Sequence, residues 1–155
     1  PALAVLDGIT DVRNMGAIAR SAVCAGLDAI VIPSSGSAQL NADAIKASSG
    51  ALHSITVCRE QKLTDAVKFM HDSGIQVVAA SEKGNDVFYD ADFTKPLAFV
   101  LGSEDMGIEP GILRLADKIV KIPLYGSIGS LNVSVAAAIL FYEMVRQRNF
   151  NGKKE

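Results

Sequence analysis

Metal ligands and thiols are scarce in this chain: it has 2 cysteines and 2 histidines. His53 and His71 lie far apart in sequence, without the spacing of a zinc or other transition-metal site, so no metal centre is expected. Cys24 and Cys58 follow no redox or disulfide pattern, and their apolar surroundings predict buried free thiols in a reducing cytosol. A basic excess is missing too. Fifteen Lys and Arg stand against 17 Asp and Glu, a formal charge of -2, which excludes a protein that grips nucleic acid by bulk charge. An RNA ligand would be held weakly by these residues alone. The start, Pro1 to Asp7, has no basic segment followed by a long apolar one, so no signal peptide is read there. It also lacks a methionine, which suggests a domain of a longer protein.

One long charge-free run does occur, from Ile122 to Tyr142. Pro123, Gly126 and Gly129 interrupt it, and its helical part falls short of the ~20 apolar residues a membrane span needs. It reads instead as a strand end, a glycine-serine loop and a buried helix entered through Ser130-Leu131-Asn132. Small residues let backbone approach a ligand closely. Packing alone does not require Ser130, Asn132 and Ser134 at the mouth of an otherwise apolar helix, so this run is the first candidate site. Ser130 also suits the helix N-cap.

The 155 residues, 49% of them hydrophobic, suffice for one domain with a real core. Short apolar runs alternate with helical patterns. Strands are expected over 2–6, 29–32, 55–58, 75–80, 97–101 and 119–122. Helices are expected over 14–25, 42–48, 63–72, 110–116 and 131–148, with a polar tail after residue 150. Near-continuous apolar strands alternating with helices imply an α/β fold, a mostly parallel sheet covered on both faces. Ligands of such sheets bind beyond the carboxyl ends of the strands, which singles out the loops Asp7–Met15, Gly102–Ile108 and Leu124–Ser130.

In the first loop and the helix after it, Arg20 is the only charged residue between Asn14 and Leu27. Its neighbours at helical spacing, Gly16, Ala17, Val23 and Cys24, are small or apolar. A buried guanidinium cannot shed its charge and needs a partner. Two partners are open: a core carboxylate in a salt bridge, or the phosphate or reacting oxygen of a ligand. Asn14 reads equally as a helix N-cap or as a functional amide. In the second loop, Gly102 and Gly107 have P-loop spacing, but Ile108 stands where lysine is required, which rejects a Walker site. Glu104 follows a buried strand directly, as a functional carboxylate or as a solvated loop acid. No G-x-G-x-x-G follows the first strand, and no Ser-His-Asp set can be assembled.

Together the three loops resemble the three signature motifs of the SpoU/TrmH class of SPOUT methyltransferases. Asn14-x-Gly16-Ala17-Ile18-x-Arg20-Ser21-Ala22 is similar to the first, Val100-Leu-Gly-Ser-Glu-Asp-Met-Gly107 to the second, and Ile122-Pro123-Leu124 with Ser130-Leu131-Asn132-Val133-Ser134-Val135-Ala136 to the third. The stretch Ser37-Ala38-Gln39-Leu40-Asn41 resembles the large-subunit rRNA guanosine ribose methyltransferases more than the tRNA enzymes. The resemblance implies a catalytic domain over residues 1–150 whose carboxyl-terminal part threads a deep trefoil knot. It implies a homodimer, an amino-terminal RNA-binding domain outside this chain, and a cytoplasmic location. It implies S-adenosylmethionine as methyl donor, held by Gly102, Ile122, Leu124 and Leu131, and an RNA ribose 2′-hydroxyl as acceptor, with Arg20, Asn14, Glu104, Ser130 and Asn132 serving the reaction. Arg20 would then face substrate or cofactor with help from the partner subunit. Two other readings are a non-catalytic RNA-binding domain of the same fold and a flavodoxin-like module for another nucleotide.

Overall fold

The computed structural model describes residues 1–149; the polar tail 151–155 and Phe150 lie outside the described residues. Seven strands form one sheet: β1 (Ala2–Asp7), β2 (Ala29–Pro33), β3 (Thr56–Glu60), β4 (Gln76–Ala80), β5 (Asp86–Val87), β6 (Leu97–Gly102) and β7 (Lys118–Lys121). Their order is β3-β2-β1-β6-β4-β7-β5, and every strand pair is parallel. Five helices pack on it: α1 (Val12–Cys24), α2 (Ala42–Ala47), α3 (Leu63–Asp72), α4 (Pro110–Leu115) and α5 (Val133–Asn149).

Both faces are covered, as continuous apolar strands require. On one face, Leu6, Ile30, Ile32, Leu97 and Phe99 pack with Met15, Ile18, Ala19 and Ala22 of α1 and with Ala137, Leu140, Phe141 and Met144 of α5. Phe99 meets Phe93 edge-to-face at 5.1 Å between ring centroids and Phe141 at 5.6 Å. On the other face, Val5, Val31, Val77, Ala79 and Val100 pack with Leu63, Val67 and Met70 of α3 and Ile112 of α4. Gly16 sits where α1 meets α2: a Cβ there would fall 2.6 Å from the Ala47 Cβ and 2.8 Å from the Ser48 nitrogen.

The expected helix over 63–72 has its predicted ends, with Gly74 in the left-handed region after it (φ 82°). Several expectations need correction. α1 begins at Val12, two residues early, because Asp11 caps it by accepting from the Arg13 amide at 2.8 Å; Asn14 lies inside the helix and is not its cap. α5 begins at Val133 rather than Leu131, and the cap is not Ser130 but Asn132, whose Oδ1 accepts from the Ser134 amide at 2.9 Å. β3 and β7 are displaced toward their carboxyl and amino ends respectively, and the two-residue β5 was not foreseen. Cys24 is exposed and Cys58 partly exposed, not buried. Nor is α5 buried all round, since Val135 and Tyr142 are exposed.

The end of α5 ties down the segment leading into β6. Gln147 accepts from the Phe93 amide at 2.7 Å and donates to the Ala91 carbonyl at 2.9 Å, while Arg148 donates to the carbonyls of Phe93 and Lys95. Glu143, buried in this turn, accepts two bonds of 2.8 Å from Arg146 and a third from Gln147. The Arg146 guanidinium, opposed by burial and helped by Gln147, holds the Glu143 carboxyl below the usual carboxylate range. A lowered folded-state pKa contributes stability in full above the unfolded value of about 4.3 and loses it as pH falls through the folded value. Glu143→Gln should therefore lower the urea midpoint at pH 7, and the gap from the parent should close below about pH 4.

Candidate functional site

The site lies where β1, β6, β4 and β7 end. Asp7 pairs in register with Gly102, so the loops after β1 and β6 leave the sheet side by side. They are joined at once: the Ser103 amide donates to the Asp7 carbonyl at 3.1 Å, and the Glu109 amide to the Asp7 carboxylate at 2.8 Å. The β6 loop folds back on itself. Ser103 and Gly107 form an antiparallel bridge, Gly107 adopts φ 66°, and the Met106 amide donates to the Ser103 hydroxyl at 3.0 Å. Gly102 is under the fold-back, with no space for a side chain: a Cβ would lie 2.4 Å from the Gly107 carbonyl carbon.

Two cavities open on either side of this loop. The first, about 160 Å³, is walled by Leu101, Gly102, Gly107 and Ile108 from the β6 loop, Ala80 to Glu82 after β4, Val120, Ile122 and Leu124 after β7, and Leu131, Val133 and Ala136 at the start of α5. Gly102, Ile122, Leu124 and Leu131, singled out from three separate stretches of sequence, thus share one cavity. The second, about 550 Å³, is polar: Asp11, Arg13, Asn14, Ser103, Glu104, Asp105 and Asn132 line it. Ser103, Glu104 and Val133 belong to both, so a more apolar, backbone-rich compartment and a hydrogen-bonding one adjoin at this shared wall.

The wall is built by contacts across long sequence separations. Glu104 accepts from the Val133 amide at 3.2 Å, placing a carboxylate at the amino end of α5, where free N–H groups and the helix dipole favour it. Asn132 uses both ends of its amide: Oδ1 caps α5 and also accepts from the Ser134 hydroxyl, while Nδ2 donates to Asn14 Oδ1 at 3.0 Å. That arrangement leaves the Asn14 NH₂ group without a bond among the described residues. Arg13 is steered by Asp11, with contacts of 3.4 Å and 3.0 Å, and its hydrogen bonds hold the Asp11 carboxyl below the usual range. Donors from Arg13 and Asn14 and an acceptor from Glu104 suit a ligand rich in hydroxyls and ring nitrogens.

Asn132→Ala should cost about 1–2 kcal/mol in urea unfolding, since it removes a helix cap and a bridging bond. Asn132→Asp should restore most of the stability, because a carboxylate caps well, yet leave Asn14 without its donor.

Two residues stand apart from this wall. Ser130 lies in the exposed stretch 124–130 and lines neither cavity. Arg20 is exposed, not buried: the inward stripe of α1 is Met15, Ile18, Ala19 and Ala22, and Arg20 falls on the opposite stripe with Arg13 and Cys24. It forms no ion pair or side-chain hydrogen bond among the described residues. Asp11, Arg13 and Ser103 were missed from sequence. Their signal was placement alone, each just beyond the carboxyl end of a strand.

A parallel sheet with two adjoining cavities beyond its strand ends defines an open α/β protein with its candidate binding site at the carboxyl edge. The chain belongs, more narrowly, to the SpoU rRNA Methylase family, whose profile matches residues 1–142. It is 40% identical over 149 residues to the 23S rRNA (guanosine-2′-O-)-methyltransferase RlmB of Photorhabdus laumondii, covering 96% of this chain and 61% of that protein. The chain therefore spans about three fifths of that relative's length. Among solved structures, the TrmH/SpoU tRNA modifying enzyme of A. aeolicus superposes with a TM-score of 0.88 at 29% identity, covering 97% of this chain and 76% of that one. The SpoU methyltransferase AviRb of Streptomyces viridochromogenes, in complex with the cofactor AdoMet, superposes at 0.87 with 31% identity, covering 97% and 61%.

Among the described residues no helix is long and apolar enough to cross a membrane, and no cluster of three or more His, Cys, Asp or Glu could hold a metal ion.

Proposed function

We propose that this chain carries the catalytic centre of an RNA ribose methyltransferase, transferring a methyl group from S-adenosylmethionine to the 2′-hydroxyl of a guanosine in 23S rRNA. The observation that carries the reading is the shared wall of Ser103, Glu104 and Val133 between the two cavities. The cavities adjoin at these residues, so a donor in one and an acceptor in the other would come within the direct contact that in-line transfer needs. The matched relatives of 38–40% identity are 23S rRNA guanosine methyltransferases, which favours rRNA over tRNA. Retention of Arg20, Glu104 and Asn132 favours catalysis over a non-catalytic RNA-binding role.

The first cavity fits the cofactor's chemistry. Its walls combine apolar side chains and strand-end backbone, which suit a flat purine, with Ser81, Glu82, Ser103 and Glu104, which suit hydroxyls and a cationic sulfonium, and Gly102 leaves backbone bare where a Cβ cannot enter. Gly102, Ile122, Leu124 and Leu131 would hold it. When bound, S-adenosylmethionine supplies an electrophilic methyl on a sulfonium, a good leaving group needing little activation. The protein's work is then to position the acceptor oxygen and ease loss of its proton. Asn14, held by Asn132, would donate to the substrate ribose or base, and Glu104 would accept from it.

Arg20, with a pKa above ~12, is a poor general base; stabilising the developing alkoxide or gripping the neighbouring phosphate is the easier role. Because Arg20 lines neither cavity, Arg20 of the partner subunit would complete the site. A homodimer through the outer faces of α1 and α5 is supported by Val135 and Tyr142, which α5 leaves exposed. Ser130, two residues before the Asn132 cap, is proposed to serve the reaction centre from beside the mouth of α5. A trefoil knot is the topology proposed for the carboxyl-terminal part. An rRNA substrate would put the protein in the cytoplasm, with further RNA-binding residues outside this chain.

Calorimetry separates the readings. S-adenosylhomocysteine should bind and FMN should not; the reverse would point to a flavodoxin-like module and overturn the assignment. Mapping 2′-O-methyl sites in RNA from cells lacking the full-length protein then identifies the nucleotide.

A further inference from the structure

A third cavity, of about 390 Å³, opens at the β7–β5 edge of the sheet and is lined by Val87, Tyr89, Lys121, Leu124 and Tyr125, with Glu82 and Ile122 on the side toward the apolar compartment. Its volume falls within the ~300–1,000 Å³ of small-ligand sites, and of its lining only Ile122 and Leu124, shared with the first cavity, have been given a role above. The chain has three tyrosines and no tryptophan, and two of those tyrosines line this one groove. Both are exposed, Tyr89 by 50% and Tyr125 by 93%. Tyr89 is held edge-on against Phe88, 5.1 Å between centroids. Lys121, opposite Val87 in the ladder, forms no ion pair among the described residues. Two exposed aromatic rings beside one cation with no ion pair among the described residues are the elements from which a site for a stacked base and its phosphate is built.

We infer that Tyr89, Tyr125 and Lys121 form a subsite for an unpaired nucleotide of the RNA substrate, stacking its base between or upon the two rings and meeting its phosphate with the lysine. The inference rests on the proposed RNA methylation, since continuity makes the occupant RNA: Glu82, Ile122 and Leu124 wall this groove and the apolar cavity alike, and that cavity in turn borders the polar one. A strand whose ribose enters the polar compartment would cross the mouth of the apolar one to reach the tyrosines. Glu82 is the one carboxylate among the lining residues, and it lines the apolar cavity as well. Stacking is tolerant of base identity, so the subsite would add affinity in a chain whose formal net charge is -2.

The test uses a fluorescein-labelled single-stranded oligo(A) decamer at low salt, read by anisotropy. Replacing both rings, Tyr89→Ala with Tyr125→Ala, should weaken binding about 100-fold, roughly tenfold per lost stack. Tyr89→Phe with Tyr125→Phe should stay within about twofold, because the π-faces remain. With no tryptophan to mask it, tyrosine emission should be quenched by the decamer in the parent and not in the Phe pair. Calorimetry with S-adenosylhomocysteine should give the same affinity in all three proteins. Unchanged decamer affinity in the Ala pair overturns the subsite, as does parallel loss of S-adenosylhomocysteine, which would assign the groove to the cofactor. Failure of the parent to bind S-adenosylhomocysteine, with decamer binding intact, sinks the methyltransferase reading and not the RNA subsite.

Discussion

Arg20→Ala should abolish methyl transfer, by at least about 10²–10³-fold in kcat, the loss typical when a group stabilising transition-state charge is removed. Folding and cofactor affinity should hold. Arg20 is exposed and unpaired among the described residues, and such surface changes move stability by no more than about 0.5 kcal/mol. It lies six residues along α1 from Asn14, about 9 Å at 1.5 Å per residue, and outside the walls of both cavities. S-adenosylhomocysteine should therefore bind the variant as it binds the parent. Near-normal turnover would end the assignment. A charge acting only as a positioner leaves no ionisation of its own in the pH–rate profile, whereas a base would. The dimer adds a sharper consequence. If Arg20 of the partner subunit completes each site, mixing the dead Arg20→Ala protein with a dead Glu104→Ala protein should restore activity, because half the sites in mixed dimers are then intact. Absence of recovery on mixing would place the arginine's action within its own subunit.

Gly102→Ala should be nearly as damaging, through cofactor affinity and stability rather than chemistry. The added methyl would meet the Gly107 carbonyl carbon at 2.4 Å, its oxygen at 2.5 Å and the Ile108 nitrogen at 2.7 Å. All three are backbone atoms, so relief requires the Ser103–Gly107 bridge to open. Overpacking of this kind costs about 1–3 kcal/mol. Opening the turn would also shift Ser103 and Glu104, which form the wall between the compartments. A loss of about 100-fold in S-adenosylhomocysteine affinity is expected, read by calorimetry beside urea unfolding. Gly107→Ala is the contrasting variant. Its Cβ would meet nothing, but its φ of 66° disfavours a side chain, so it should cost about 1–2 kcal/mol by conformation alone. If both variants behave alike, space at Gly102 is not what matters.

Much of the site was legible because its residues break local rules. Apolar strands do not need Glu104 at their exit, and an apolar helix does not need Asn132 at its mouth. Each therefore stood out against its own neighbours. The cap at Asn132 was misassigned to Ser130 because both residues suit that position, and only the path of the chain into α5 decides between them. Arg20 stood out correctly as a lone charge, but its burial was inferred from neighbours that are small rather than core-facing. Gly16, on that side of α1, meets α2, while Ile18, Ala19 and Ala22 turn to the sheet. Which stripe of a helix is covered depends on what packs against it.

The sequence by itself determined the alternation of strands and helices, their hydrophobic faces, and the residues too polar or too small for their surroundings. Those are local properties, set by periodicity, by capping chemistry and by the cost of burying charge. The tertiary structure alone decided that three loops, over a hundred residues apart at their extremes, share a wall two cavities deep. It also decided that Asn14 and Asn132 bond across 118 residues, that Arg20 faces outward, and that two tyrosines flank one groove. The physical reason is strand order: a parallel sheet gathers its carboxyl ends along one edge whatever the distance between them in sequence, and no local pattern encodes which ends become neighbours.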